Sequence, residues 1–330
     1  MTYKVGIIGY GKMGRIRHQA IDELGVAEVV AISDPTIGND FKSIPNLTHN
    51  EIIIDASIDA IIVCTPNYLN KPLTIKALNA GKHVFCEKPP AFTGADILEI
   101  REVEAKSGKK LMYGFNHRHH DSIIRMKEMI DSDAFGKVLW MRGRYGKSVT
   151  EDYFNDWRAK KELSGGGILM DQGIHMLDLF LYLSGGFDVV KAEVSNLYWN
   201  MDVEDNAFVI LKDSKTGKVA SLHSTMSQWR HLFSLEIFME KGYMVLNGLI
   251  TSTMSYGEEV LSVAKNRSTA PAATWKDEVK TQYITNNSWR YEMDHFFNAV
   301  KDNLPVTIGN SGDALELMNI IDEIYKQKDF

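Results

Sequence analysis

Gly9-Tyr10-Gly11-Lys12-Met13-Gly14 follows the apolar run Val5-Gly6-Ile7-Ile8, and twenty residues past Gly14 the chain places Asp34 at the end of Glu28-Val29-Val30-Ala31-Ile32-Ser33. A strand, a glycine-rich turn, an amphipathic stretch from Ile16 to Leu24 and a second strand ending in a carboxylate form a dinucleotide fingerprint. Gly9 permits the tight turn, Gly11 lets backbone N–H groups approach a pyrophosphate, and Gly14 lets the following helix pack on the strand. The helix N-terminus then turns its partial positive charge toward the phosphates. Lys12 and Met13 lie within the loop and join Gly9, Gly11 and Gly14 as cofactor-binding candidates. Asp34 suits a ribose hydroxyl and repels a 2′-phosphate, so NAD is the expected cofactor; Lys12 and Arg15 leave NADP open.

The pattern continues outward from that loop. Lys4 to Ile8, Val29 to Ser33, Asp59 to Cys64, His83 to Cys86 and Lys110 to Gly114 are short apolar runs separated by helix-length segments, which predicts a parallel sheet. Beyond residue 136 the runs Val138 to Tyr145, Val189 to Tyr198, Ala207 to Leu211, Val219 to Met226, Leu232 to Met239 and Tyr243 to Leu246 follow one another mostly without helices, which predicts an antiparallel sheet. Helices are expected across Gly167 to Leu183, Ser288 to Lys301 and Ser311 to Lys326, and a surface loop over Ser268 to Thr274. We place the domains at 1–117, binding the dinucleotide, and 118–330, binding substrate and carrying the oligomer contact. Trp140, Leu235, Ile237 and Met239 are expected on an open sheet face that joins subunits.

Composition narrows the class. A chain of 330 residues is long enough for two domains with real cores. No run of eighteen apolar residues occurs and the N-terminus leads straight into a strand, so neither membrane insertion nor secretion is expected. The 37 basic and 43 acidic residues leave a net charge of −6, against a nucleic-acid partner. Cys64 and Cys86, the two cysteines, end apolar runs and read as reduced buried thiols, which points to the cytoplasm.

Two further constellations carry chemistry. Ala80-Gly81-Lys82-His83-Val84-Phe85-Cys86-Glu87-Lys88-Pro89 sets Lys88 at the carboxyl end of a parallel strand, where open α/β sheets bind ligands, and Pro89 restricts its backbone. Gly165-Gly166-Gly167 leads into a helix bearing Asp171, His175 and Asp178, which offsets of four and three place on one face. A carboxylate one turn from an imidazole equips it as a general base. The same three residues also suit a buried structural histidine or a metal ligand set, but no metal is expected: His117, His119 and His120 sit in a polar run that reads as a surface loop. The segment Arg142 to Lys161 holds six basic residues against three acidic ones, which fits a phosphorylated or nucleotide-activated substrate, and Trp157 offers a stacking surface.

Together, Gly9 to Gly14, Thr65-Pro66-Asn67, Ala80 to Pro89, Trp157-Arg158 and Gly165 to Asp178 resemble the Gfo/Idh/MocA oxidoreductase family over nearly the whole chain. The resemblance implies an α/β fold, with an N-terminal Rossmann doubly wound parallel sheet plus a C-terminal α+β domain built on a large open, mostly antiparallel sheet, assembled as a homodimer or homotetramer. It implies an NAD-dependent oxidoreductase moving a hydride between nicotinamide and a secondary alcohol or ketone of a sugar. Lys88 matches the lysine that orients the reacting oxygen, His175 the proton-transferring histidine, and Asp171 the carboxylate that holds both. Thr65, Pro66, Asn67 and Glu87, with Lys88, match positions lining the cofactor. Asn116, Arg118, Trp157, Arg158 and Tyr291 are the further substrate-binding candidates. Asn70 replaces the family's frequent histidine three residues after Thr-Pro-Asn, and Pro90 its commoner leucine. Two other functions stay open: an NAD-using glycoside hydrolase with transient oxidation, and a non-catalytic dinucleotide sensor.

Overall fold

Five strands whose side chains are almost wholly buried form the first sheet of the computed structural model, which describes residues 2–38, 40–41, 43–267 and 269–327. These are β1 (Tyr3–Ile8), β2 (Ala27–Ser33), β5 (Ala60–Val63), β6 (His83–Glu87) and β7 (Leu111–Gly114), in the order β2-β1-β5-β6-β7 and all parallel. A two-strand ladder, β3 (Asp40–Phe41) with β4 (Ile44–Pro45), follows β2. Burial on both faces explains why β5 reads as the unbroken apolar run Ala60-Ile61-Ile62-Val63. Because β1 has β2 on one side and β5 on the other, the order in which strands are added reverses at β1, opening a crevice at the carboxyl ends of β1 and β5.

Helices α1 (Lys12–Leu24), α2 (His49–Ile54), α3 (Asn70–Asn79) and α4 (Gly94–Ser107) connect these strands. In α1, Gly14, Arg17, Ala20 and Ile21 make the buried stripe at helical spacing, and Gly25 ends the helix in the left-handed conformation. Thr93 and Asp96 close a reciprocal capping box on α4.

By contacts the chain divides into two units, Met1–Asn116 with Ser288–Asn319, and His117–Asn287 with Ile320–Phe330. The return of the later segment has a simple cause. Helix α8 (Ser288–Lys301) puts Met293, Phe296, Phe297 and Val300 into the core formed by Val5, Ile7, Ile62 and Phe85. The late segment also seals the edge of β7, where Tyr113 N donates to Gly309 O at 2.7 Å.

The second unit is built on eight strands, β8 (Val138–Ser148), β9 (Val189–Ser195), β10 (Asn206–Lys212), β11 (Val219–Thr225), β12 (Ser227–Met239), β13 (Gly242–Asn247), β14 (Glu259–Lys265) and β15 (Val279–Tyr283). Their order is β15-β14-β13-β12-β8-β11-β10-β9, antiparallel except for the parallel pair β8–β11. The last two strands were not expected from sequence; both follow turns in stretches with little apolar alternation. Helices α5 (Asp121–Asp131), α6 (Lys161–Ser164) and α7 (Ile174–Ser184) belong to this unit, and α9 (Ser311–Tyr325) closes the chain. Helix α7 is apolar on nearly every side and fully enclosed, lying over β8 where Gly143 leaves room for Met176 and Phe180.

Strand alternation corrects the expected open face. Leu235, Ile237 and Met239 are buried on the covered side, whereas the uncovered side carries Trp140, Phe208 and Ile210, with Trp140 stacked on Phe238 at 4.1 Å. Trp140 pairs in register with Phe238, one residue out of phase with Leu235 and Ile237, so the four residues do not share a face. Of the loop expected over 268–274, Ser268 lies outside the described residues. Among the described residues no helix is long and apolar enough to cross a membrane.

Candidate active site

The first unit holds the nucleotide residues at the switch point. Gly9 has φ 87°, and a Cβ there would strike the Cys64 carbonyl, while one on Gly14 would strike the Gly9 carbonyl. Around Gly11, in contrast, there is open space. Gly11 is the N-cap of α1, no side chain caps that end, and no acidic residue occupies its first turn. Unclaimed N–H groups beside a backbone with no Cβ are what a pyrophosphate needs, so the residues present fit a dinucleotide. Lys12 is exposed on the first turn and Met13 is half-buried.

Asp34 is held in place by its neighbours. Its Oδ2 accepts from Tyr10 N at 2.9 Å, and its Oδ1 from Thr36 N at 2.9 Å and Thr36 Oγ1 at 2.6 Å. Burial opposes ionisation, but the Thr36 and Tyr10 hydrogen bonds and the Arg15 charge outweigh it, holding the carboxyl below its ordinary range. Asn46 locks the turn behind it, donating to the carbonyls of Asp34 and Ile37. Arg15 lies over the Tyr10 and Phe41 rings beside this carboxylate.

Lys88 follows β6 and is half-buried, ahead of a cis peptide to Pro89. Its backbone is bracketed by Asn70, whose buried amide donates to Pro89 O at 2.8 Å and Glu87 O at 3.2 Å, while Thr65 Oγ1 donates to Asn70 Oδ1 at 3.1 Å. Asn70, the departure from the pattern of the family the sequence resembles, therefore braces the backbone of the lysine. Pro66 and Asn67 line the same turn, half-buried. The Glu87 side chain is turned inward to Arg17 (2.6 Å), which also pairs with Glu292 at 2.6 Å. Asn116 donates to Ser288 Oγ at 3.2 Å, and the Tyr291 ring carries the Arg290 guanidinium. Burial pushes the Cys86 thiol up to about 12 and Cys64 well above its ordinary value, so both are neutral and unreactive near pH 7.

The second unit holds Asp171 and His175, the candidates for proton transfer. A π-helical turn over Leu169–Gly173 runs into α7 and carries Asp171, and His175 is buried on the first turn of α7. Lys147, on the covered face of β8, reaches Asp171 Oδ2 at 2.5 Å and lies over the Tyr153 ring. The His175 ring stacks on His117, 3.9 Å between centroids and 16° from parallel, and His117 Nε2 lies 2.9 Å from the Tyr145 hydroxyl. Burial raises the pKa values of Tyr145, Tyr153 and Tyr256, the Asp171 charge adding to it in each case, so the phenols around the carboxylate stay protonated.

Several expectations change here. His117, His119 and His120 are not a surface loop: all three are buried, because the short helical turn Asn116–His119 is folded inward and His120 Nδ1 meets Glu259 at 3.0 Å. Asp178 is taken up by Arg118, whose Nε and Nη2 reach its oxygens at 2.7–3.1 Å in a buried bidentate pair. Arg158 folds back on its own turn, over the Trp157 ring and 3.3 Å from Asp156. Alternation along β8 sends Arg142 and Arg144 to the uncovered sheet face, where Arg142 pairs with Glu236, so the basic segment does not converge on Asp171. The glycine-rich lead-in to α7 serves packing: Gly166 and Gly167 are pressed against Tyr325 and Glu204, and the buried Glu204 Oε1 accepts from Gly167 N, Leu169 N and Tyr325 OH. Among the described residues no three histidine, cysteine or carboxylate side chains converge as a metal site. Lys147, Tyr145, His117 and Asn70 lie against the candidate residues without having been counted among them, His117 having been read as surface loop and Asn70 only as a departure from the family pattern; strand parity along β8 was the available signal for the first two.

Two family models match in sequence, the NAD-binding Rossmann-fold oxidoreductase family over residues 3–115 and the Gfo/Idh/MocA C-terminal domain over 123–245. Levoglucosan dehydrogenase of Pseudarthrobacter phenanthrenivorans is 31% identical over 208 residues, 58% of this chain and 53% of the relative. Inositol 2-dehydrogenase of Salmonella typhimurium is 34% identical over 165 residues, 46% of this chain and 49% of the relative. The chain thus spans about half the length of these relatives in sequence. In structure it is similar to a levoglucosan dehydrogenase in complex with NADH, with a TM-score of 0.85 at 23% identity over 99% of this chain and 97% of the other, a likeness of fold. With its nucleotide-binding portion and its C-terminal portion each matched by a model of one family, the chain belongs to the Gfo/Idh/MocA oxidoreductases.

Proposed function

We propose that this chain is an NAD-dependent oxidoreductase that interconverts a secondary alcohol and a ketone on a sugar. The observation that carries the reading is the buried His175, stacked on His117 and near in sequence to an Asp171 already paired with Lys147. Family membership and the relatives named for levoglucosan and inositol support it. When bound, NAD supplies the hydride acceptor, and NADH the donor, at C4 of the nicotinamide. His175 takes the hydroxyl proton as the C–H bond gives up its hydride, and returns it in the reverse direction. Lys88 stabilises the developing alkoxide through a charge-assisted hydrogen bond that strengthens as negative charge builds. Asp171, fixed by Lys147, orients the sugar.

Nucleotide binding falls to the first unit and proton transfer to the second. Thr65, Pro66, Asn67 and the Glu87 backbone line the cofactor, with Asn116, Trp157, Arg158 and Tyr291 toward the sugar. We assign Arg118 to anchoring α7 through Asp178 rather than to substrate. The open face bearing Trp140, Phe208 and Ile210 is assigned to contact between copies of the chain, and the free thiols fit a cytoplasmic setting.

The test is NADH absorbance over free sugars, sugar phosphates and nucleotide sugars, with Lys88→Met and His175→Ala. Each variant is expected to lose orders of magnitude in turnover while still binding NADH. Wild-type turnover in either variant refutes the assignment, and an absence of steady NADH accumulation with an active sugar favours transient oxidation instead.

A further inference from the structure

An exposed aromatic wall stands beside the Asp171 site, and the proposed function leaves it unused. Tyr198, Trp229 and Phe154 are 62%, 59% and 44% exposed, and they meet around Trp199, with Tyr198 packed edge-to-face on Trp229 at 4.9 Å and Phe154 on Trp199 at 6.2 Å. Large aromatic faces left in water as a group mark a binding surface.

The wall is rigid. The Asp205 carboxylate accepts from three successive backbone N–H groups, Leu197, Tyr198 and Trp199, at 2.8–2.9 Å, fixing the turn that carries two of the rings. Trp229 has φ 58°, a left-handed conformation that a bulky residue adopts only under constraint. It sits in a bulge: Ser227 pairs with Ser148 but Leu232 with Gly146, so three extra residues of β12 loop out of the ladder.

Two chains of contact tie this wall to the sugar site. Phe154 follows Tyr153, over whose ring Lys147 sits on its way to Asp171. On the bulge, His231 packs edge-to-face on Tyr256 at 4.8 Å, and the Tyr256 hydroxyl donates at 3.2 Å to Gln172, the neighbour of Asp171.

We propose that the wall is a stacking subsite for a second pyranose ring, and that the substrate is accordingly a glycoside whose non-reacting sugar lies on Trp229 and Tyr198. The C–H face of a pyranose carries partial positive charge and fits the negative face of an indole or phenol, while its hydroxyls stay in water. The inference rests on the proposed sugar chemistry at His175, and its test separates the two.

Wild type, Trp229→Ala and Trp229→Phe are compared on methyl β-D-glucoside, cellobiose and maltose by NADH absorbance. Quenching of tryptophan emission by the same sugars is measured without cofactor. Wild type is expected to prefer a disaccharide in kcat/KM, and Trp229→Ala to lower the disaccharide-to-monosaccharide ratio about tenfold, through KM, with Trp229→Phe restoring most of it. Disaccharide quenching in wild type should vanish in Trp229→Ala. A wild type that prefers the monosaccharide and shows no disaccharide quenching overturns the subsite. So does a Trp229→Ala protein that sediments as a smaller species with an unchanged ratio, which makes the wall a contact between copies. If no sugar reduces NAD, the proposed activity fails on its own, and the quenching alone decides the subsite.

Discussion

Arg17→Met removes one cation from between two carboxylates, and the structure sets the size of the effect. The Arg17 side chain is wholly buried over the Phe85 ring, with Glu87 and Glu292 each 2.6 Å away and almost as enclosed. Burial alone disfavours the guanidinium charge, yet Glu292 and Glu87 more than restore it, and its pKa lies above the ordinary arginine value. Methionine keeps the apolar stem, so the loss is electrostatic rather than a cavity. Breaking a buried pair costs roughly 3–5 kcal/mol, and two stranded carboxylates place Arg17→Met near the upper end. Against a total stability of roughly 5–15 kcal/mol that is a large fraction. Urea unfolding followed by circular dichroism near 15 °C measures it, and neutral replacement of all three residues, Arg17→Met with Glu87→Gln and Glu292→Gln, should recover most of the loss. The triad ties α1, the strand end that precedes Lys88, and α8, so NADH affinity should fall with stability. A loss under about 1 kcal/mol, or a triple variant no more stable than the single one, refutes the reasoning.

Asn70→Ala leaves the Glu87 and Pro89 carbonyls without their buried donor, a cost of roughly 1–3 kcal/mol, and loosens the backbone of Lys88. Turnover is expected to fall about tenfold with NADH affinity nearly kept, a split readable by stopped-flow and fluorescence titration; an equal loss in both makes Asn70 a cofactor residue instead. Asp34→Ser should raise the NADP-to-NAD ratio of kcat/KM by about tenfold, since a carboxylate beside a 2′-phosphate repels it by about 1–2 kcal/mol once solvent screening is allowed for. Because hydrogen bonding holds the folded Asp34 pKa below its unfolded value, this discrimination is present above the ordinary carboxylate range. Asp34 loses its charge only as pH falls through the lower folded value, while the 2′-phosphate itself takes up a proton at about pH 6, so the test belongs at pH 7 to about pH 8, where an Asp34→Ser ratio equal to that of wild type overturns the account.

The nucleotide half was legible because its signals are local. The Gly9–Gly14 spacing, the all-apolar β5 and Asp34 at the end of β2 each need only a short window of sequence, and the parallel sheet follows from them. The substrate half was less legible because its contacts are long-range. Nothing in Ser288–Lys301 says which core it joins; that depends on Phe296 meeting Phe85, some two hundred residues earlier, and Phe297 meeting Tyr3. His117 looked polar by its neighbours, yet its ring is covered by His175 and Tyr145 from elements that lie far along the chain. Lys147 looked like one charge in a basic run until β8 alternation sent Arg142 and Arg144 to the opposite face.

The two glycine clusters show most plainly where composition stops being informative. Both precede a helix, and composition alone does not separate them. At Gly11 a missing side chain leaves space, with the end of α1 uncapped and its N–H groups unclaimed by side chains. At Gly166 and Gly167 the missing side chains leave none, for Tyr325 and the Glu204 backbone fill it and the Glu204 carboxylate takes the N–H groups. A helix start that already holds a carboxylate has nothing left to offer an anion. The lead-in to α7 therefore fixes where Asp171 and His175 stand, and in the function proposed above the substrate meets side chains around them rather than backbone: the Lys147–Asp171 pair, the stacked imidazoles, and the aromatic wall beyond Tyr153.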